Sequence, residues 1–127
     1  MTIELWMLVA SGILVIVQGF VTASAKNKQN DFKGDNFQRD KSVELSGWGG
    51  RAERSLYNYF EYLPLFIILV IAAHLTGANN SMTALGAELF VAGRIVHLIF
   101  YITGPGALRS IGWLIAVIGL ILIGLQL

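Results

Sequence analysis

The chain has 127 residues, of which 55% are hydrophobic and 13% charged, with a formal net charge of +1 and a mean hydropathy of +0.65. That charged share is about half of what a soluble domain carries. A soluble domain of this length could not bury so much apolar side chain, so a bilayer is the expected solvent. There is no basic, aromatic-interleaved stretch, so no nucleic-acid partner is expected. The absence of cysteine excludes disulfides, thiolate metal sites and a cysteine nucleophile.

The first apolar stretch predicts a spanning helix over about 4–25. Leu5 to Ala25 carries no formal charge and is long enough to cross about 30 Å of hydrocarbon. A cleavable signal peptide fits poorly, because the start MTIEL holds Glu4 and no basic residue and the apolar run is too long. Gln18 within it reads as an interhelical hydrogen-bonding group. Residues 26–50 are a different material, rich in Lys, Asp, Asn and Gln and punctuated by Gly47, Gly49 and Gly50; they read as a long polar loop. A second span is predicted over about 51–75, its first half charged and its second half apolar, with a kink at Pro64. After the turn from Gly77 to Ser81, a third span covers about 82–102. Gly104, Pro105 and Gly106 break the chain, and a fourth span covers about 108–126. The expected fold is an all-α, four-helix transmembrane bundle forming one domain over 1–127.

All nine basic residues lie in or beside the first loop or flank the third. The positive-inside rule therefore puts those loops in the cytoplasm and both termini outside. Trp6, Trp48 and Trp113 read as interface anchors, and His74 as an interfacial residue. No phosphate-binding loop, dinucleotide fingerprint or HExxH helix is present, so nothing supports nucleotide or metal chemistry.

The spans nevertheless contain ionisable groups, each costing roughly 2.5–3.5 kcal/mol at membrane depth even on the lenient insertion scale. Arg51, Arg54, Asn58 and Glu61 fall on one stripe of the second helix, and Arg94, His97 and Tyr101 on one stripe of the third. Arg109 and Ser110 open the fourth. In the expected topology all three segments meet at the loop-bearing end. An interhelical ion-pair network of Arg51, Arg54, Glu61 and Arg94 would account for part of this. Arginine in excess over Glu61 instead suits an anionic ligand held by paired guanidinium contacts. Glu88 lies nearer the opposite leaflet, as a buried pairing residue or a protonated helix contact.

The segment RAERSLYNYFEYLPLF (Arg51 to Phe66) resembles the signature of the membrane-associated proteins in eicosanoid and glutathione metabolism, the MAPEG family. GRIVHLIFY (Gly93 to Tyr101) is similar to that family's third helix, and Leu108-Arg109-Ser110 to the start of its fourth. The resemblance implies a homotrimer in a lipid membrane, with glutathione as co-substrate between subunits and a hydrophobic small-molecule substrate arriving from the lipid. Carried over by position, Arg54, Asn58, Glu61 and Tyr62 would hold the tripeptide, with His97 and Tyr101 contributing from the third helix. Lys26 would reach in from the adjacent subunit. Arg109 would stabilise the thiolate, with Ser110 as the neighbouring hydroxyl. Arg51 and Arg94 match recurrent arginines, with Arg51 structural and Arg94 pairing with Glu61 or a neighbour as the alternatives to ligand binding. The short, lean chain looks like bacterial members, which implies an inner-membrane location. The expected function is that of a glutathione transferase or peroxidase for hydrophobic electrophiles. A non-catalytic lipid- or ligand-binding scaffold is a second possibility, and a small transporter subunit, with Glu88 as a coupling carboxylate facing an interior cavity, is a third. Asn27 stands where some family members have a second arginine, and the Gly104–Gly106 connection is short.

Overall fold

The computed structural model describes residues 1–29, 45–104 and 106–127. Most of the expected polar loop, and Pro105 of the expected break, lie outside the described residues. The described residues form four α-helices: α1 (Ile3–Gln29), α2 (Gly47–Thr76), α3 (Ser81–Thr103) and α4 (Gly106–Gly124). Each is long and apolar enough to cross a membrane, so the chain is an all-α integral membrane protein.

The helices outrun their apolar stretches at the polar end. α1 continues through Lys26 and Lys28 in its last turn, where cations favour the negative end of the helix dipole. α2 begins at Gly47, with Trp48, Gly49 and Gly50 already helical, and runs unbroken through Pro64. Its C-terminus is closed by Gly77 at φ 72. The Gly77 and Ala78 N–H groups turn back to the His74 and Ala73 carbonyls at 3.4 and 2.9 Å, satisfying carbonyls that the helix itself leaves open. α3 starts in a capping box. Asn80 Oδ1 accepts from the Met82 and Thr83 N–H groups at 2.7 and 3.1 Å, and Thr83 Oγ1 accepts from the Asn80 N–H at 2.8 Å.

The α1 helix is polar inside and apolar outside. Its buried seam is Glu4, Ser11, Gln18 and Ala25, with Thr22 beside it, while Ile3, Trp6, Val9, Ile13, Ile16 and Phe20 face outward. Those four seam positions recur every seven residues, the repeat that keeps one helix face against a partner. Lipid rewards an apolar exterior, and the few polar groups serve as interhelical glue. Each does so here. The Glu4 carboxylate accepts from Thr83 Oγ1 on α3. The Ser11 carbonyl accepts from Tyr59 Oη on α2 at 3.0 Å. Gln18 Nε2 donates to Ser55 Oγ on α2 at 3.4 Å. These pairings make α1 and α2 antiparallel.

α3 and α4 pack at backbone distance. Gly86 and Gly93 on α3 meet Gly119, Gly112 and Ala116 on α4. A Cβ at Gly93 would lie 2.5 Å from Ala116 N and 2.6 Å from Gly112 O, and one at Gly119 would collide with the Gly86 carbonyl. Small residues let helices approach this closely, and close van der Waals packing is the main attraction available in lipid. Between α2 and α3, Phe66 stacks on Phe90 with centroids 4.1 Å apart, and Tyr59 lies 6.1 Å from Phe90. Val70, Ala73, Ala87, Leu120 and Ile123 complete the core.

Candidate functional site at the loop end

Arg94 is the largest fully buried side chain, 1% exposed. It lies in the α2–α3 seam with no carboxylate in contact. Its Nη1 donates to Asn58 Oδ1 at 2.7 Å and its Nη2 to the Ser55 carbonyl at 3.3 Å, and the guanidinium sits over the Tyr59 ring at 5.0 Å. Its Nε has no partner. A buried cation is tolerated only when its donors are met, and here neutral acceptors and an aromatic face meet them in part. Beside it, His97 is buried, with Nδ1 3.0 Å from Ser55 Oγ and 3.4 Å from Arg94 Nη2. The His97 ring lies 5.0 Å from Tyr101, and Tyr101 carries the Arg109 guanidinium on its face at 4.8 Å. One connected path thus runs from α1 (Gln18) through α2 (Ser55) and α3 (His97, Tyr101) to α4 (Arg109).

The remaining candidates lie on the outside of a single chain. Arg54 and Glu61 are exposed on α2, as are Arg109 and Ser110 on α4; Asn58 and Tyr62 are half-buried. Tyr62 meets Trp113 of α4 edge-on at 6.2 Å. Neither Arg54 nor Arg109 makes an ion pair with a described residue. Lys26 is 3.9 Å from Glu53 of its own chain, and Glu53 Oε1 also accepts from Tyr57 Oη at 3.0 Å. Arg51 donates through Nε and Nη2 to the Ile102 carbonyl at 3.4 and 3.1 Å. It closes the last turn of α3, where an open carbonyl and the helix dipole both favour a cation.

A family model of the MAPEG family matches residues 3–127. The chain belongs to the MAPEG family. No match was found among curated proteins or solved structures. Membership puts this protein among membrane proteins of glutathione and eicosanoid metabolism, a family that includes glutathione transferases and other members that are not transferases, that generally uses glutathione, and whose members are typically trimers.

Within this MAPEG chain the expected polar stripes separate into two sets. Arg94 and His97 turn inward; Arg54, Glu61, Arg109 and Ser110 turn outward. The expected pairing of Arg94 with Glu61 is not made, because Asn58 and the Ser55 carbonyl occupy the guanidinium. Nor do Arg51, Arg54, Glu61 and Arg94 form an ion-pair network among the described residues, where Lys26–Glu53 is the one ion pair. Glu88 is exposed on α3 of the single chain. Sequence reasoning passed over three residues. Ser55 sits at the junction of Arg94, His97 and Gln18, and its signal is position: it falls in the α2 seam of Ala52, Tyr59, Phe66, Val70 and Ala73, the one serine at a core spacing. Glu4, 2% exposed, is an anchor of α1 on α3. Glu53 ties the start of α2 to the end of α1.

Proposed function

We propose that this protein is a glutathione-dependent membrane transferase or peroxidase for hydrophobic electrophiles. The observation that carries the reading is the unmatched positive charge at the loop end: Arg54 and Arg109 are exposed, on different helices, with no carboxylate of the described chain against them. Glutathione brings two carboxylates and one ammonium. Arginines suit the first by forked, charge-assisted hydrogen bonds, and Glu61 suits the second. Arg54, Asn58, Glu61 and Tyr62 are the proposed tripeptide contacts, with Arg51, Arg94, His97 and Tyr101 as the supporting shell and Lys26 at its edge. The outward face of Arg54 and Glu61 supports a site closed by a second copy in a homotrimer, and the distribution of basic residues supports termini outside and a cytoplasmic first loop.

Arg109 is the proposed thiolate stabiliser. A thiol with a pKa near 8.5 is mostly protonated at neutral pH, and an adjacent guanidinium favours the anion. In the transferase reaction the thiolate forms a carbon–sulfur bond and the electrophile's leaving group departs with the electron pair. In the peroxidase reaction the thiolate attacks a peroxide oxygen, the O–O bond breaks to release an alcohol, and a second glutathione converts the sulfenic acid to disulfide and water. Ser110 is the proposed hydroxyl donor to the sulfur. A hydrophobic substrate enters from the lipid, past apolar side chains that discriminate weakly.

The test is glutathione binding to the purified protein, followed by ultraviolet absorbance of the thiolate. The expected result is a thiolate signal that Arg109→Ala removes while Arg54→Ala weakens binding. No binding by a folded wild-type protein would end this reading and favour a ligand-holding scaffold.

A further inference from the structure

The hydrogen-bond directions around His97 follow from the groups that meet its ring. Arg94 can only donate, and its Nη2, already given to the Ser55 carbonyl at 3.3 Å, lies 3.4 Å from His97 Nδ1, a contact that suits a lone pair there but is too long to hold one by itself. Gln18 donates through Nε2 to Ser55 Oγ. The Ser55 oxygen accepts that bond, and its own proton goes to His97 Nδ1 at 3.0 Å. In neutral imidazole the proton then resides on Nε2, which makes no hydrogen bond to any described residue. The tautomer of a histidine is set by the bond its other nitrogen makes. The backbone of His97 is held as tightly as its ring, since Gly112 of α4 packs so close that a Cβ there would lie 2.5 Å from His97 N. Ser55 and Gln18 are both buried, at 0% and 1% exposure, and neither faces the outward stripe.

We infer that Ser55, itself held by Gln18, is a positioning residue that fixes His97 as an Nε2–H donor and thereby presents one oriented donor to a ligand at the loop end. This rests on the glutathione reading above, which supplies the acceptor: a carboxylate or amide oxygen of the tripeptide. Ser55 does not touch the ligand. It acts through the ring, and through Tyr101 on that ring it also steadies the seat of Arg109. A helix register that merely needed a small residue in the seam would accept alanine at 55 without consequence for the ring.

The test is the ¹⁵N spectrum of histidine-labelled full-length protein in lipid nanodiscs, in a His74→Gln background so that His97 alone reports, with a glutathione titration alongside. The expected wild-type spectrum has an unprotonated Nδ1 and a protonated Nε2. Ser55→Ala is expected to give mixed or exchanging tautomers and about fivefold weaker glutathione binding, the size of one lost hydrogen bond. Ser55→Thr, which keeps the hydroxyl, is expected to restore both. An unchanged ring spectrum in Ser55→Ala, an altered spectrum with unaltered glutathione affinity, or no restoration by threonine would overturn the inference. If the wild type binds no glutathione, the functional reading falls, and the ring spectrum still decides whether Ser55 sets the tautomer.

Discussion

Replacing Gly93 by alanine adds one methyl group where α3 and α4 have no room for it. The new Cβ would lie 2.5 Å from Ala116 N, 2.6 Å from Gly112 O and 3.0 Å from Ala116 Cα, against an ordinary contact of 3.4 Å or more. All three obstacles are backbone, so no side chain can swing away, and the helices must part locally by roughly 0.9 Å. Such overpacking costs about 1–3 kcal/mol, because every contact along the parted seam loses part of its dispersion attraction. In lipid there is little else to hold the pair together. Gly12→Ala is the matched control: nothing lies within 4 Å of the Cβ position, so it should fall within about 0.5 kcal/mol of wild type, the range of surface changes. Reversible unfolding by dodecyl sulfate in mixed micelles measures both. A Gly93→Ala protein as stable as Gly12→Ala would refute the claim that α3 and α4 are locked at backbone distance. The same substitution should weaken glutathione binding, because Tyr101 on α3 and Arg109 on α4 share one cation–π contact at 4.8 Å.

Thr83→Val leaves the buried Glu4 carboxylate without its hydroxyl donor and should destabilise the bundle by about 1–3 kcal/mol in the same assay, while Thr83→Ser should be tolerated. Tyr59→Phe removes the bond to the Ser11 carbonyl and keeps the ring, so a loss of about 1 kcal/mol is expected. Arg94→Lys should lower stability and not rescue function, since an ammonium cannot reach Asn58, the Ser55 carbonyl and the Tyr59 face together; glutathione affinity at wild-type strength in this variant would contradict that geometry. Glu61→Gln should leave unfolding unchanged and weaken glutathione binding, which calorimetric titration reads directly.

How far the sequence discloses this arrangement depends on what each group bonds to. Helix periodicity was enough to put Arg51, Arg54, Asn58 and Glu61 on one stripe, and Arg94, His97 and Tyr101 on another. It could not say which stripe residues turn inward, because that depends on the rotation of each helix against its neighbours. Arg94 reads as a candidate for pairing with Glu61, yet its acceptors are an amide and a main-chain carbonyl. Arg51 is spent on the Ile102 carbonyl, and a backbone acceptor leaves no trace in side-chain sequence. The α1 seam is the opposite case. Glu4, Ser11 and Gln18 recur every seven residues in an otherwise apolar helix, a legible pattern, but the partners of the Glu4 and Gln18 side chains, Thr83 and Ser55, become visible only once the helices are packed, and Tyr59 takes the Ser11 main-chain carbonyl, which any residue there would offer. Ser55 illustrates both halves: its core spacing is in the sequence, and its junction role is tertiary. The sevenfold pairs Gly86–Gly93 and Gly112–Gly119 likewise carry the right spacing, but glycine is common enough in membrane helices that spacing alone does not single out a contact.

The central proposal is that arginine in excess at the loop end holds glutathione as a thiolate. Its most direct measurement is ultraviolet difference absorbance on adding glutathione to the purified wild-type protein and to Arg109→Ala at matched occupancy. The proposal predicts a thiolate signal from the wild type that is lost in Arg109→Ala although glutathione still binds. Bound glutathione that remains a thiol in the wild type, or a thiolate signal undiminished without Arg109, would contradict it.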